Sequence, residues 1–138
     1  MQQYLDLGVF DAVITHNRYT LLDQSAIPLL DGAAQRGVPV LNAAPYGGGI
    51  LAKGADRYPY YMYQAASPAL LTRARAIEAM CQHHDVPLAA VALQFSLRDP
   101  RITATIVGIE RPEEVVQTLA LAAWSIPGAL WTELAGLA

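Results

Sequence analysis

Three short runs rich in β-branched and aliphatic residues, 10–16, 38–42 and 103–107, alternate along this chain with segments whose apolar residues recur at helical spacing. The order strand, helix, strand, helix, strand, helix, with short connections, predicts parallel strands joined by right-handed crossovers. The expected class is α/β. Two architectures share this order: an open doubly wound sheet, and part of a (β/α)8 barrel, whose complete form takes about 250 residues.

The helical segments carry their own punctuation. Residues 24–36 place Ile27, Leu29, Leu30, Ala33 and Ala34 at roughly helical spacing before Gly37 stops the run. A second helix is expected over 68–84, with Ser67 as N-cap and Pro68 at its first position. Asp85 is expected to cap a third, in which Leu88, Val91, Ala92 and Phe95 stack at spacings of three and four. Pro112 opens a fourth, with Glu113 and Glu114 in the first turn, where carboxylates favour the positive end of the helix dipole. A short helix over 129–137 closes the chain.

At 138 residues, 54 % hydrophobic and 15 % charged, the chain can bury one core, and a mean hydropathy of +0.26 suits elements covered on both faces. A net charge of −3 gives no basic stripe, so neither nucleic acid nor an anionic membrane is expected as a partner. Cys81, the single cysteine, cannot form an internal bridge and fits a reducing cytoplasm. Residues 1–6 have neither the basic start nor the apolar core of a secretory signal. The longest uncharged stretch, 115–132, is interrupted by Gln117, Pro127 and Gly128 and reads as two packed helices with a turn between them, because a membrane span needs about 20 predominantly apolar residues.

Two of the apolar runs end in backbone suited to a phosphate: one enters Pro45, Tyr46, Gly47, Gly48 and Gly49, the other Gly108, Ile109, Glu110, Arg111 and Pro112. Together they read as one half of a dinucleotide-binding site. Both segments resemble the last strands of the aldo-keto reductases, most closely the branch that oxidises aldoses such as L-fucose and D-threo-aldoses. The first run and its continuation through Tyr19, Leu21, Leu22 and Asp23 are similar to that family's strand followed by Asn-x-Tyr-Ser-Leu-Leu-Asp. His16 stands where many members carry a Gln that bonds the nicotinamide carboxamide, and an imidazole can donate or accept one such bond.

The resemblance implies more about each segment. Pro45 and the glycines match the family's Tyr-Ser-Pro-Leu-Gly-Gly-Gly-Leu-Leu, whose backbone and hydroxyl groups lie along the pyrophosphate and nicotinamide. Ala43 replaces an aromatic ring that stacks on the nicotinamide in many members, leaving that role to Tyr46 or to nothing. In the closing segment Gly108, Pro112, Glu113 and Val115 match, while Gln117 and Thr118 replace the acidic residue and Asn that bond adenine. Glu114 occupies a position where NADPH-preferring members often place an Arg, and Glu110 adds a second carboxylate. A carboxylate repels a 2′-phosphate and can bond a free ribose hydroxyl, so NAD is expected over NADP.

The implied cofactor-binding set is His16, Pro45, Tyr46, Gly47, Gly108, Ile109, Glu110, Glu114, Gln117 and Thr118. The implied fold is the last three strand-helix units of the barrel, with residues 1–138 forming one partial domain. The family's catalytic Asp, Tyr, Lys and His come from earlier strands, so no catalytic residue is assigned. Residues 1–8 read as the tail of a crossover helix, which favours a piece of a longer protein.

Other readings weigh less. Gly47 to Ala52 satisfies G-x-G-x-x-A, but Lys53, Gly54 and Pro59 oppose the long helix that an open-sheet fingerprint needs, and Lys53-Gly54 has the wrong order for a Walker motif. Cys81, His83, His84 and Asp85 suggest a metal, yet adjacent helical histidines diverge by about 100°. Tyr58, Tyr60, Tyr61 and Tyr63 are expected to anchor a long loop more than to line a sugar site, and Trp124 and Trp131 to pack in the core.

Two functions remain open. One is the cofactor-holding end of an oxidoreductase acting on a small sugar or aldehyde. The other is a non-catalytic nucleotide-binding or interaction module. Three strands cut from a barrel expose two edges and an apolar inner face, which suits a partner chain or self-association.

Overall fold

The computed structural model describes residues 5–137. The helical reading of residues 1–4 lies outside them. Three parallel strands form one sheet in the order β1-β2-β5: β1 (Val13–His16), β2 (Val40–Ala43) and β5 (Ala104–Ile106). The helices are α1 (Ile27–Gln35), one-turn α2 (Ile50–Lys53), α3 (Pro68–His83), α4 (Leu88–Leu97), α5 (Pro112–Ala122) and α6 (Gly128–Ala135).

The register sorts the strand residues into two faces. Val13 pairs with Val40, and Thr15 with Asn42 and then Thr105, all pointing one way. Ile14, Leu41 and Ala104 alternate with them, as do His16, Ala43 and Ile106. Leu29, Leu30 and Ala33 of α1 cluster with Val13 and Val40. From α4, Ser96 Oγ accepts a bond from Asn42 at 2.9 Å and meets Thr105 Oγ1 at 2.7 Å. Both crossover helices therefore cover the same face. The opposite face leaves Ile14 54 % and Ile106 41 % exposed. A doubly wound sheet carries helices on both faces, whereas a barrel wall carries them on one. Among the described residues the layer is one-sided, and β1 and β5 each have an open edge.

The strands are shorter than expected. Residues 10–12 lie outside β1, because a parallel ladder lasts only as far as its partner and β2 begins at Val40. Val38 and Pro39 lie outside β2, and proline has no N–H to contribute to a ladder. Pro28 sits in the first turn of α1, where its missing donor costs nothing.

Ser67 caps α3 as expected, accepting from the Leu70 N–H at 3.3 Å. Asp85 does not cap α4. It takes φ +54 and closes α3: its N–H reaches Gln82 O at 3.1 Å and the Val86 N–H reaches Cys81 O at 2.9 Å, the two bonds of a Schellman motif. The N-cap of α4 is Pro87, which offers no capping side chain. Helix α4 is held by burial, with Ala90, Val91, Ala92 and Leu93 nearly inaccessible and Phe95 touching both core clusters.

The 115–132 stretch does form two helices, but α5 lies against α4 and α6 against α3. Trp131 packs on the larger core, while Trp124 is 44 % exposed, contrary to the core expectation; its backbone is tied in, the carbonyl by Gln94 Nε2 at 2.8 Å and the N–H by Leu121 O at 3.3 Å. Among the described residues no helix is long and apolar enough to cross a membrane.

Candidate functional site

Beyond the C-terminal ends of β2 and β5 the two phosphate-suited segments meet. The Ala44 N–H donates to Ile106 O at 3.2 Å, joining the first residue after β2 to the last of β5. A cleft of about 690 Å³ opens there, within the range of small-molecule sites. Tyr46, Gly108, Ile109, Glu110, Glu114, Gln117 and Thr118 line it, so most of the sequence-derived set is brought together. Pro45 and Gly47 are buried behind the wall, and His16 stands on the neighbouring strand in the row of Ala43 and Ile106.

The glycine turn shapes one side. Gly47, Gly48 and Gly49 form a 3-10 turn with φ of +59, +74 and +123, values open to glycine at no steric cost. At Gly47 there is a second reason. A Cβ would sit 2.6 Å from Tyr61 Cε2, so Gly47 admits the Tyr61 ring while Gly48 and Gly49 face the cleft. The turn then runs into α2, which Gly54 stops after one turn at φ +87; the long helix of an open-sheet fingerprint does not form.

Tyr61 belongs to a two-residue antiparallel pair that the sequence reading missed, β3 (Tyr60–Tyr61) with β4 (Gln64–Ala65). Its reversal places Met62 and Tyr63 at positive φ, an uncommon conformation for residues of their size. The buried Tyr61 hydroxyl donates to Asn17 O at 2.6 Å and lies 3.2 Å from Thr20 Oγ1, and burial raises its pKa. The tyrosine loop is thus anchored to the segment after β1. Tyr63 alone of the four lines the cleft, and its ring stacks near His16 at 6.4 Å between centroids.

His16 has one ring nitrogen committed. Asn17 Nδ2, which can only donate, lies 3.0 Å from His16 Nδ1, so Nδ1 accepts and a neutral ring carries its proton on Nε2. The remaining nitrogen is a donor. Tyr46 is half-buried, and burial raises its phenol above the ordinary value of 10.

The start of α5 shapes the opposite side. Glu114 accepts the Glu110 N–H at 2.9 Å and Arg111 Nε at 3.1 Å, and these two bonds lower its pKa. Its carboxylate lies where the free amides of a helix start attract anions. Among the lining residues, Lys53 is the one cation, its ammonium 4.7 Å from the Tyr58 ring centre, against the carboxylates of Glu110 and Glu114. At Gly108 a Cβ would meet nothing within 4 Å, so that wall is open space. The residues fit a dinucleotide in kind: a cation and glycine turn for phosphate, carboxylates for a ribose diol. Lys53, Gly48, Gly49 and Tyr63 join this wall without having been in the expected set. Their signal was adjacency to Gly47 and the tyrosine-rich loop.

The aldo/keto reductase family model matches residues 1–137. The chain is 36 % identical over 127 residues to D-threo-aldose 1-dehydrogenase of Pseudomonas sp, covering 91 % of this chain and 39 % of that protein. It is 33 % identical over 131 residues to pyridoxal 4-dehydrogenase of Microbacterium luteolum, with 94 % and 38 % covered. Against L-galactose dehydrogenase of Arabidopsis thaliana the identity is 26 % over 113 residues, with 82 % and 34 % covered. The chain thus spans under two fifths of the length of these relatives. A match running through nearly the whole chain, including both walls of the cleft, makes this chain a member of the aldo/keto reductase family.

Proposed function

We propose that this chain is the cofactor-holding part of an NAD(P)-dependent oxidoreductase of the aldo/keto reductase type, in which a hydride passes between the nicotinamide and the carbonyl or hemiacetal carbon of an aldose or related aldehyde. The observation that carries the reading is the cleft itself, where the turn after β2 and the start of α5 converge. The cofactor supplies the hydride chemistry; the protein supplies position and electrostatics. His16 Nε2–H is the donor proposed for the nicotinamide carboxamide, with Tyr46 beside the ring. Gly48, Gly49 and Lys53 are proposed along the pyrophosphate, and Gly108, Ile109, Gln117 and Thr118 toward the adenosine. Pro45 and Gly47 act from behind the wall by setting the turn. The relatives' names support an aldose or aldehyde substrate.

NAD is the proposed cofactor over NADP. Glu114 already accepts the amide at the start of α5, and Glu110 adds negative charge beside it. A 2′-phosphate would have to displace one carboxylate and approach another. No catalytic residue is assigned within this chain, and it is expected to turn over nothing alone. Tyr46 is a poor substitute acid, since an effective proton relay has a pKa near the working pH and burial moves this phenol further away. The buried thiol of Cys81 suits a reducing compartment, and the reading includes a cytoplasmic location.

Fluorescence titration of the chain with NADH and with NADPH tests this reading. Saturable NADH binding at least tenfold tighter than NADPH is expected, with E114R narrowing the gap. Equal or tighter NADPH binding would overturn the cofactor preference, and binding of neither by a folded chain would overturn the self-sufficient half-site. A second reading, a non-catalytic module that docks on a partner chain, draws on the bare inner face around Ile14 and Ile106. It predicts a mass that rises with concentration in the absence of nucleotide.

A further inference from the structure

A second cavity, of about 560 Å³, lies in the outer helix layer and shares no lining residue with the cleft. Its walls come from α3, the C-terminal end of α4 with the turn after it, α6, and the segment following β1. Ile77, Phe95, Trp131 and Leu134 make much of it apolar. Three arginines also line it, Arg73, Arg98 and Arg101, against one acidic residue, Asp99.

The three arginines are not equivalent. Arg101 is saturated: it bonds both oxygens of Asp99, at 2.9 and 2.5 Å, and Asp31 at 2.6 Å from outside the cavity. Arg98 lies over the Trp131 ring at 4.2 Å and makes no ion pair among the described residues. Arg73 makes none either, and its Nε is buried without a hydrogen-bond partner. A buried N–H without an acceptor is uncommon in folded proteins because it has given up water for nothing. Here the half-buried Arg73, with its orphaned donor, and the exposed Arg98 line a space whose other walls are largely aromatic and aliphatic.

We propose that this cavity is a binding site for a small organic anion, a carboxylate or phosphate head on an aromatic or branched apolar body. The head would be held by Arg73 and Arg98, because a planar guanidinium fork matches either group with two parallel bonds. The body would lie against Phe95, Trp131 and Leu134. Tyr19 and Asp99 close one wall, and their mutual bond leaves the Asp99 carboxylate directed at Arg101 and Tyr19 rather than free to repel the ligand.

Trp131 is a built-in reporter, and W124F removes the other tryptophan, which is exposed and absent from this wall. The W124F chain would be titrated with benzoate and with phenyl phosphate, using benzyl alcohol as the neutral isostere and inorganic phosphate as the head alone. A saturable change in Trp131 emission with benzoate or phenyl phosphate is expected, whichever binds tighter identifying the head, with binding at least tenfold weaker for benzyl alcohol. R73Q and R98Q should each weaken binding at least tenfold, and R73K less. Their thermal midpoints, measured alongside, keep loss of binding separate from loss of folding. Absence of a saturable change with both anions, equal binding of benzyl alcohol, or unchanged affinity in folded R73Q and R98Q would overturn the assignment.

Discussion

The two faces of the three-stranded sheet are built from the same strands, and they are held in opposite ways. The face carrying Val13, Val40, Thr15, Asn42 and Thr105 is sealed by α1 and α4, with Leu30 and Val40 fully buried and Asn42 bonded to Tyr19 O and Ser96 Oγ. The face carrying Ile14, His16 and Ile106 is exposed. Stability therefore resides on the helix side. The bare side leads to the cleft. Burial of apolar surface stabilises by about 25 cal/mol per Å², so residues on the two faces should respond to truncation very differently.

The largest expected effect is on the sealed face. L30A removes a fully buried side chain and leaves a cavity, costing about 2–5 kcal/mol in urea denaturation. A loss under about 1 kcal/mol would mean that the helix layer is not packed as described.

A smaller effect, with its own pH signature, belongs to the pins at the rim of that face. Arg101 and then Tyr19 hold Asp99 at a pKa of about 2, and burial with the Asp99 bond pushes Tyr19 up to about 12. The Asp99 contribution is complete above about pH 4 and is lost as pH falls toward 2; that of Tyr19 is complete below about pH 10 and is lost as pH rises toward 12. Stability should therefore be flat across neutral pH and fall on both sides. D99N should cost about 2 kcal/mol at pH 7 and flatten the acid limb, as followed by thermal melts across pH. An unchanged acid limb would remove Asp99 from the account.

The smallest effect is expected on the bare face. I106S should change stability by no more than about 0.5 kcal/mol, since this side chain is already 41 % exposed. It should also weaken any concentration-dependent association seen by sedimentation. A loss comparable to that of L30A would show that the inner face is covered.

The same contrast explains what could be read from the chain alone. The sealed elements were legible because their signals are local: helical spacing in α1 and α4, Ser67 before Pro68, and the β-branched apolar runs that mark β1 and β2. Both cleft walls were legible through Gly47, Gly48, Gly49, Gly108 and Pro112. The β3–β4 pair was not, because its reversal runs through Met62 and Tyr63 at positive φ instead of glycine or asparagine. Asp85 was misplaced for a related reason, since the residue type that caps a helix start also tolerates the left-handed turn that ends one. The exposure of Trp124 depends on where α5 leaves α4, which no local pattern encodes. The arginine cavity assembles residues 19 to 137 from four parts of the chain, so spacing gives no hint of it.

The most direct test of the central claim is an amide chemical-shift map of the chain titrated with NADH. The account predicts saturable shifts confined to 46–53 and 107–118, with Tyr63 and His16 joining them and the amides around Arg73 and Arg98 unmoved. Shifts centred on the arginine cavity, or scattered with no cluster at the ends of β2 and β5, would contradict it.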